Sequence, residues 1–258
     1  MKLRQYEKNT PQYFLYKDMH KNQCYDYVKA KYFQYNKLDN SKMKMKDALE
    51  MMDEFIDPSD PDVDDKNSIH AYQTAERIRI KHPENKELQV VGLIHDLGKV
   101  LFKLGEPNWA VVGDTYVVGC EFPKTIVYYD TLKENPDFNN SDYNTKSGIY
   151  KENCGLKNLL VTFGHDEYLY QVLKQNKNHK ISNENMNTIR YHSFYPWHTG
   201  NSYRHLTTEE DEITLKNVLD FNQFDLYSKE EVNFVLTDEI KEYYDKLLKE
   251  YFPEELQW

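Results

Sequence analysis

Six residues of this chain place a metal-binding side chain where the neighbouring sequence is apolar. His95 and Asp96 sit side by side in VVGLIHDLGKV. His70 lies in NSIHAYQTAERI, His165 in TFGHDEYLYQV, His192 in IRYHSFYPWH and Asp225 in FNQFDLYSK. A carboxylate in such surroundings costs several kcal/mol unless a cation or a set of donors meets it. Each histidine taken alone reads as a hydrogen-bonded core residue. Spread over five apolar segments, the six read together as a metal site at the centre of a helical bundle. The donors are nitrogen and oxygen only, which favours iron or manganese over a structural zinc site. Successive residues on a helix turn by about 100°. His95 and Asp96 therefore need not chelate one ion symmetrically, and Asp96, with two oxygens, is the natural bridge between two. Asp166 follows His165 and suits orienting a ligand or capping a turn. His20, His82, His179 and His205 have polar neighbours and read as surface residues, while His198 in PWHTG is left open as a group that could support a ligand.

Buried helices must carry these donors. Residues 87–104 hold Leu88, Val91, Leu93, Ile94, Leu97, Val100, Leu101 and Leu104, apolar on nearly every side. The pattern predicts one central helix through His95 and Asp96, stopped by Gly105 and Pro107. Residues 43–55 form a helix ended before Pro58, and the Pro- and Asp-rich stretch 57–67 is a loop. Asn67 or Ser68 then caps a helix running to about His82, where Pro83 stops it. Residues 156–175, 183–194, 209–222 and 239–251 are helical in pattern. Residues 109–150, richer in Gly, Pro, Asn and β-branched types, read as loops with a short β-hairpin. No linker divides these segments. The expected fold is one all-α domain over residues 1–258, a helical bundle with decorated loops.

Composition narrows the partners. A formal charge of −10, with lysines scattered rather than massed, disfavours nucleic acid. No stretch approaches the ~20 apolar residues of a membrane span, and MKLRQYEKNTPQYF lacks a signal-peptide core. Cys24, Cys120 and Cys154 are too few and too widely spaced for a disulfide framework or zinc knuckle. The expected setting is the cytoplasm, with no membrane or nucleic-acid partner. The twenty-two tyrosines fit a core edge, rings buried and hydroxyls reaching outward.

The order His70, His95-Asp96, Asp225 is similar to the H…HD…D signature of the HD-domain superfamily, many of whose members are phosphohydrolases. The surrounding words narrow this. DPSDPDVD, HAYQTAERIR, GLIHDLGKV, GEPNWAVVGDTYVVGC, GHDEYLYQV, RYHSFYPWHTG and FNQFDLYSK resemble inositol oxygenase in order and spacing, over roughly residues 25–258. The resemblance implies an HD-type catalytic domain with two iron ions in the mixed-valent Fe(II)/Fe(III) state. One iron would take His70, His95, Asp96 and Asp225, the other Asp96, His165 and His192. It also implies O2 as co-substrate and four-electron cleavage of myo-inositol to D-glucuronate, by a monomer. The alternative is a metal-dependent phosphohydrolase, disfavoured because Lys99 and Arg4 are the only evident cations for a phosphate.

The resemblance extends to substrate contacts. Lys99, one turn beyond His95 and Asp96, faces the same pocket and would stabilise a metal-bound alkoxide, acting with Asp96 as a catalytic group. Gly113 and Asp114 in VVGDTY would bring backbone and a hydroxyl acceptor to the substrate. Asp57, Pro58 and Ser59 would close over the ring, and His192 and Ser193 would touch it. Arg4 would reach in from an N-terminal lid, residues 1–24. Here the chain departs from the family pattern: its motif reads LRQY in place of phenylalanine-arginine-asparagine-tyrosine, and Pro58 replaces an acidic residue.

Overall fold

A computed structural model of the chain describes residues 7–55, 66–228 and 234–258. Helices dominate it. They are α1 (Pro11–Asn22), α2 (Tyr25–Tyr35), α3 (Met45–Met51), α4 (Asn67–Lys81), α5 (Lys86–Ile94), α6 (His165–Gln175), α7 (Asn183–Tyr191), α8 (Tyr195–His198), α9 (Asp211–Ser228) and α10 (Asp238–Tyr251). Polar caps start several of them. Thr10 accepts from Tyr13 N at 3.2 Å with Pro11 behind it, Asn85 from Leu88 N at 3.0 Å, and Ser182 from Asn185 N at 3.3 Å. Helices α4, α5, α7 and α9 pack on one another, and α6 lies against α7.

Several boundaries differ from the sequence expectation: α9 runs on past residue 222 to take in Asp225, α7 stops at Tyr191, and three others have a physical reason in the contacts. Asn67 and Ser68 lie inside α4 and do not cap it. Asp53 reaches across to accept Ser68 N and Ser68 Oγ, both at 2.9 Å, and Asn67 donates to the carbonyls of Met52 and Phe55. The expected helix 87–104 is two pieces. It is α-helical to Ile94, turns at His95 and Asp96, and continues as a 3₁₀ segment, Leu97–Leu104. Gly98 shows what the tighter winding permits. A Cβ there would land on the backbone carbonyl of His165, so only glycine lets this segment touch the start of α6. The helix expected from residue 156 begins only at His165, after a 3₁₀ turn and an extended run.

Residues 109–150 are loops and short 3₁₀ turns. Their ladder contact is an isolated antiparallel bridge, Val117 to Val161. The two-stranded antiparallel ribbon lies elsewhere, β1 (Lys42–Met43) against β2 (Leu256–Gln257). The loops are stitched to the bundle. Gln23, fully buried, donates to Phe163 O at 2.6 Å and accepts Phe163 N at 3.1 Å, fixing the approach to α6.

His20 is not a surface residue. It is fully buried among Tyr16, Tyr116 and Thr131, and burial pushes its pKa down to about 3. His82 is exposed, while His179 and His205 are half-buried.

Candidate metal centre

All six donors converge. His70 comes from the first turn of α4, and His95 and Asp96 from the turn after α5. His165 opens α6, His192 follows α7, and Asp225 comes from α9. Asp96 stands between two groups. Its Oδ2 lies 3.5 Å from His95 Nε2 and 4.0 Å from His70 Nε2. Its Oδ1 lies 3.2 Å from His165 Nε2 and 3.6 Å from His192 Nε2. Asp225 Oδ1 closes the first group, 3.0 Å from His70 Nε2 and 3.5 Å from His95 Nε2. In the second, His165 and His192 bring their Nε2 atoms within 3.4 Å. Three sets of donors have the mutual spacing of a metal's ligands: His70, His95 and Asp225; His95, Asp96 and His192; and His165, Asp166 and His192.

Local folding fixes which nitrogen faces inward. His95 Nδ1 is 2.8 Å from Gly92 O, His165 Nδ1 is 2.8 Å from Val111 O, and His192 Nδ1 is 2.7 Å from Ile189 O. A carbonyl oxygen only accepts, so each Nδ1 carries a hydrogen, and each ring turns its Nε2, the nitrogen that can ligate a metal, toward the cluster. Two lone pairs facing at 3.4 Å repel unless a cation lies between them. Asp166 Oδ2 is buried with no hydrogen-bond partner among the described residues, a second mark of an absent cation. The donor set therefore fits a metal.

The electrostatics agree. Burial alone would raise the Asp96 carboxyl. Lys99, His95, His165 and His192 instead hold it well below the ordinary carboxylate range. Burial opposes ionisation of Asp225 as well, and His70 and His95 overcome it. Burial disfavours a charged His165, but Asp166 and Asp96 push its pKa up to about 10, a proton standing where a metal would.

The remaining expected site residues fall around this centre or outside the described residues. Lys99 is buried, its Nζ 2.9 Å from Asp96 Oδ2 and 3.3 Å from Asn67 Oδ1. Gly113 and Asp114 lie on a segment tied at both ends to the centre, by Val111 O to His165 and by Thr115 N to Ser193 O at 2.9 Å. Gly113 has φ +107°, and a Cβ there would crowd Met19 and Tyr16, so glycine is required by the backbone itself. Asp114 Oδ1 accepts from Tyr16 OH at 2.8 Å, and Ser193 Oγ donates to Asp166 Oδ1 at 3.2 Å. His198 Nε2 holds the carbonyl of His192 at 3.0 Å, supporting that turn. Arg4, Asp57, Pro58 and Ser59 lie outside the described residues.

Two contributors escaped the sequence reading, and a third, Asp166, stands closer to the centre than expected. Asp166 lies 2.6 Å from His165 Nε2, among the donors and not merely behind them. Asn67, read as a helix cap, holds Lys99. Tyr16 holds Asp114 across 98 positions of sequence, a pairing for which the sequence carries no local signal.

Comparison with known proteins agrees with this geometry. The family model for myo-inositol oxygenase matches residues 11–258, starting before residue 25, where the resemblance in motifs begins. Inositol oxygenase of Danio rerio is 48% identical over 94% of this chain and 87% of its own length. That of Homo sapiens is 46% identical over 94% and 85%. Inositol oxygenase 5 of Arabidopsis thaliana is 47% identical over 94% and 78%. The matched residues include every donor of the buried cluster, and the chain belongs to the myo-inositol oxygenase family.

Proposed function

We propose that this chain is an inositol oxygenase, cleaving the ring of myo-inositol with O2 to D-glucuronate. Atoms balance with one oxygen atom retained in the product and the other released in water. The observation that carries the metal part of the reading is Asp96, whose two oxygens face two different groups of histidines. One iron is assigned to His70, His95, Asp96 and Asp225, and the other to Asp96, His165 and His192. Asp166 stands ready at the second. An iron pair held there supplies Lewis acidity toward substrate hydroxyls and redox electrons for O2.

The protein's own residues position and protect. Lys99 holds a buried positive charge beside Asp96, where an alkoxide would develop. Asp114, kept in place by Tyr16, offers a carboxylate oxygen to substrate hydroxyls. Ser193 places a hydroxyl next to His192. Burial of His95, His165 and His192 excludes water from the reacting atoms. Gly113, Arg4, Asp57, Pro58 and Ser59 complete the assigned substrate contacts on the strength of the family resemblance. The N-terminal cover assigned to residues 1–24 would be rooted by the buried Tyr16 and His20 of α1, its first six residues lying outside the described residues. We further infer a single HD-type domain acting in inositol catabolism, monomeric and cytoplasmic. The unbridged Cys24, Cys120 and Cys154 suit a reducing compartment.

The test is O2 uptake by iron-loaded protein given myo-inositol, with the product identified by mass spectrometry. One D-glucuronate per O2 is expected. Phosphate release from an ester without O2 uptake would instead make the chain a phosphohydrolase.

A further inference from the structure

His165 and His192 come from different helices, yet their Nε2 atoms must meet one ion. The Nδ1 bonds to Val111 and Ile189 fix each ring against its own backbone surroundings. They do not fix how far α6 slides along α7. A charged contact also joins the two helices. Arg190 Nε donates to Glu167 Oε2 at 2.6 Å, and its Nη2 to Oε1 at 3.3 Å, a two-pronged pairing between the helices. Glu167 lies two residues after His165, and Arg190 two residues before His192. Two residues turn a helix by about 200°. The pair therefore lies behind the rings, not among their donor atoms.

Both charges are buried, with Arg190 8% and Glu167 3% exposed. The pair is itself held in place. Gln171 Nε2 donates to Glu167 Oε1 at 2.5 Å, and the Arg190 guanidinium stacks 4.3 Å from the Tyr170 ring centroid. Apolar residues of similar volume often stabilise a fold as well as a buried ion pair does. What they lack is a directional fork that admits one register. A metal site tolerates only about 0.5 Å of ligand displacement.

We propose that Arg190 and Glu167 are positioning residues that set the register of α6 on α7, and so the spacing of His165 and His192, for the second metal. This rests on the metal assignment above.

The test titrates metal-free, full-length protein with Fe(II) under anaerobic conditions, by calorimetry, with elemental analysis of the loaded protein. Two variants are compared with wild type: Arg190→Lys, which keeps the charge and loses the fork, and the double substitution Glu167→Leu with Arg190→Met. Wild type is expected to bind two ions per chain. The double variant should bind one ion with wild-type affinity and the other at least tenfold more weakly, and Arg190→Lys should fall between. Two wild-type affinities in the double variant would overturn the proposal. So would parallel weakening of both sites, which is what a purely structural role predicts. If the double variant does not fold, the same criteria applied to Arg190→Lys decide. Fewer than two ions in wild type would instead remove the di-metal reading, separating its failure from that of the clamp.

Discussion

The ammonium of Lys99 lies 2.9 Å from Oδ2 of Asp96, the same oxygen that faces His70 and His95. One buried cation thus neutralises the carboxylate on the side where substrate is expected, while the other oxygen remains for His165 and His192. Lys99→Met should keep both metals and cut turnover about 100-fold or more, the usual loss when a charge-stabilising donor is removed. Steady-state O2 uptake alongside iron content checks this. Wild-type turnover would reduce Lys99 to a structural role.

Asp96 carries the opposite expectation. It is the carboxylate that faces both groups of histidines, so Asp96→Ala should lose metal from both sites. Iron per chain, measured after desalting, should fall toward zero. Retention of two irons would refute the bridge.

His20 gives a pH prediction independent of the metals. Thr131 Oγ1 donates to Tyr128 O, so His20 Nδ1 must donate to Thr131. His20 Nε2 is then buried without a partner among the described residues. Its folded pKa, about 3, lies below the ordinary 6.5. The unfolded chain therefore binds more protons between those values. This contribution is full above about pH 6.5 and is lost as pH falls toward 3. From about pH 7 to about pH 5 the group removes roughly 2 kcal/mol. Urea midpoints of chelator-treated protein should show a shallower acid loss in His20→Gln. Identical pH slopes in the two proteins would exclude the effect.

Gly98→Ala should be disproportionately damaging. The added methyl group meets the His165 carbonyl, part of the backbone, which cannot rotate away. A loss of about 3 kcal/mol or more is expected, at the upper end for overpacking. Thermal melting should drop by several degrees, with weaker metal retention at His165. An unchanged melting temperature would show that the segment has room.

The donors were legible because each puts a charge or a ring nitrogen into an apolar helix, a conflict visible in any short window of sequence. His95-Asp96 in VVGLIHDLGKV was the plainest. Hidden from the sequence was how the helix carrying them ends, because periodicity does not distinguish an α-helix from a 3₁₀ continuation. The contact between Gly98 and His165 makes that choice, and those residues are far apart in the chain. His20 misled for the same reason. Its sequence neighbours are polar, whereas the groups that bury it, Thr131 and Tyr116, come from a distant loop. Asp166 was placed on the right helix, but its partner could be chosen only once His192 stood beside it.

The ring hydrogen bonds of His95 and His192 carry a consequence for how such a centre is dissected. Each reaches back three residues to a carbonyl in the last turn of its own helix, Gly92 O or Ile189 O, where the intrahelical ladder runs out. The imidazole is thus a helix stop as well as a proposed ligand. Alanine at either position removes both at once, and lost iron in such a variant cannot be assigned to lost coordination alone. A substitution at Asp225, whose carboxylate faces the ring nitrogens of His70 and His95, removes a metal donor without removing such a ring-to-carbonyl bond.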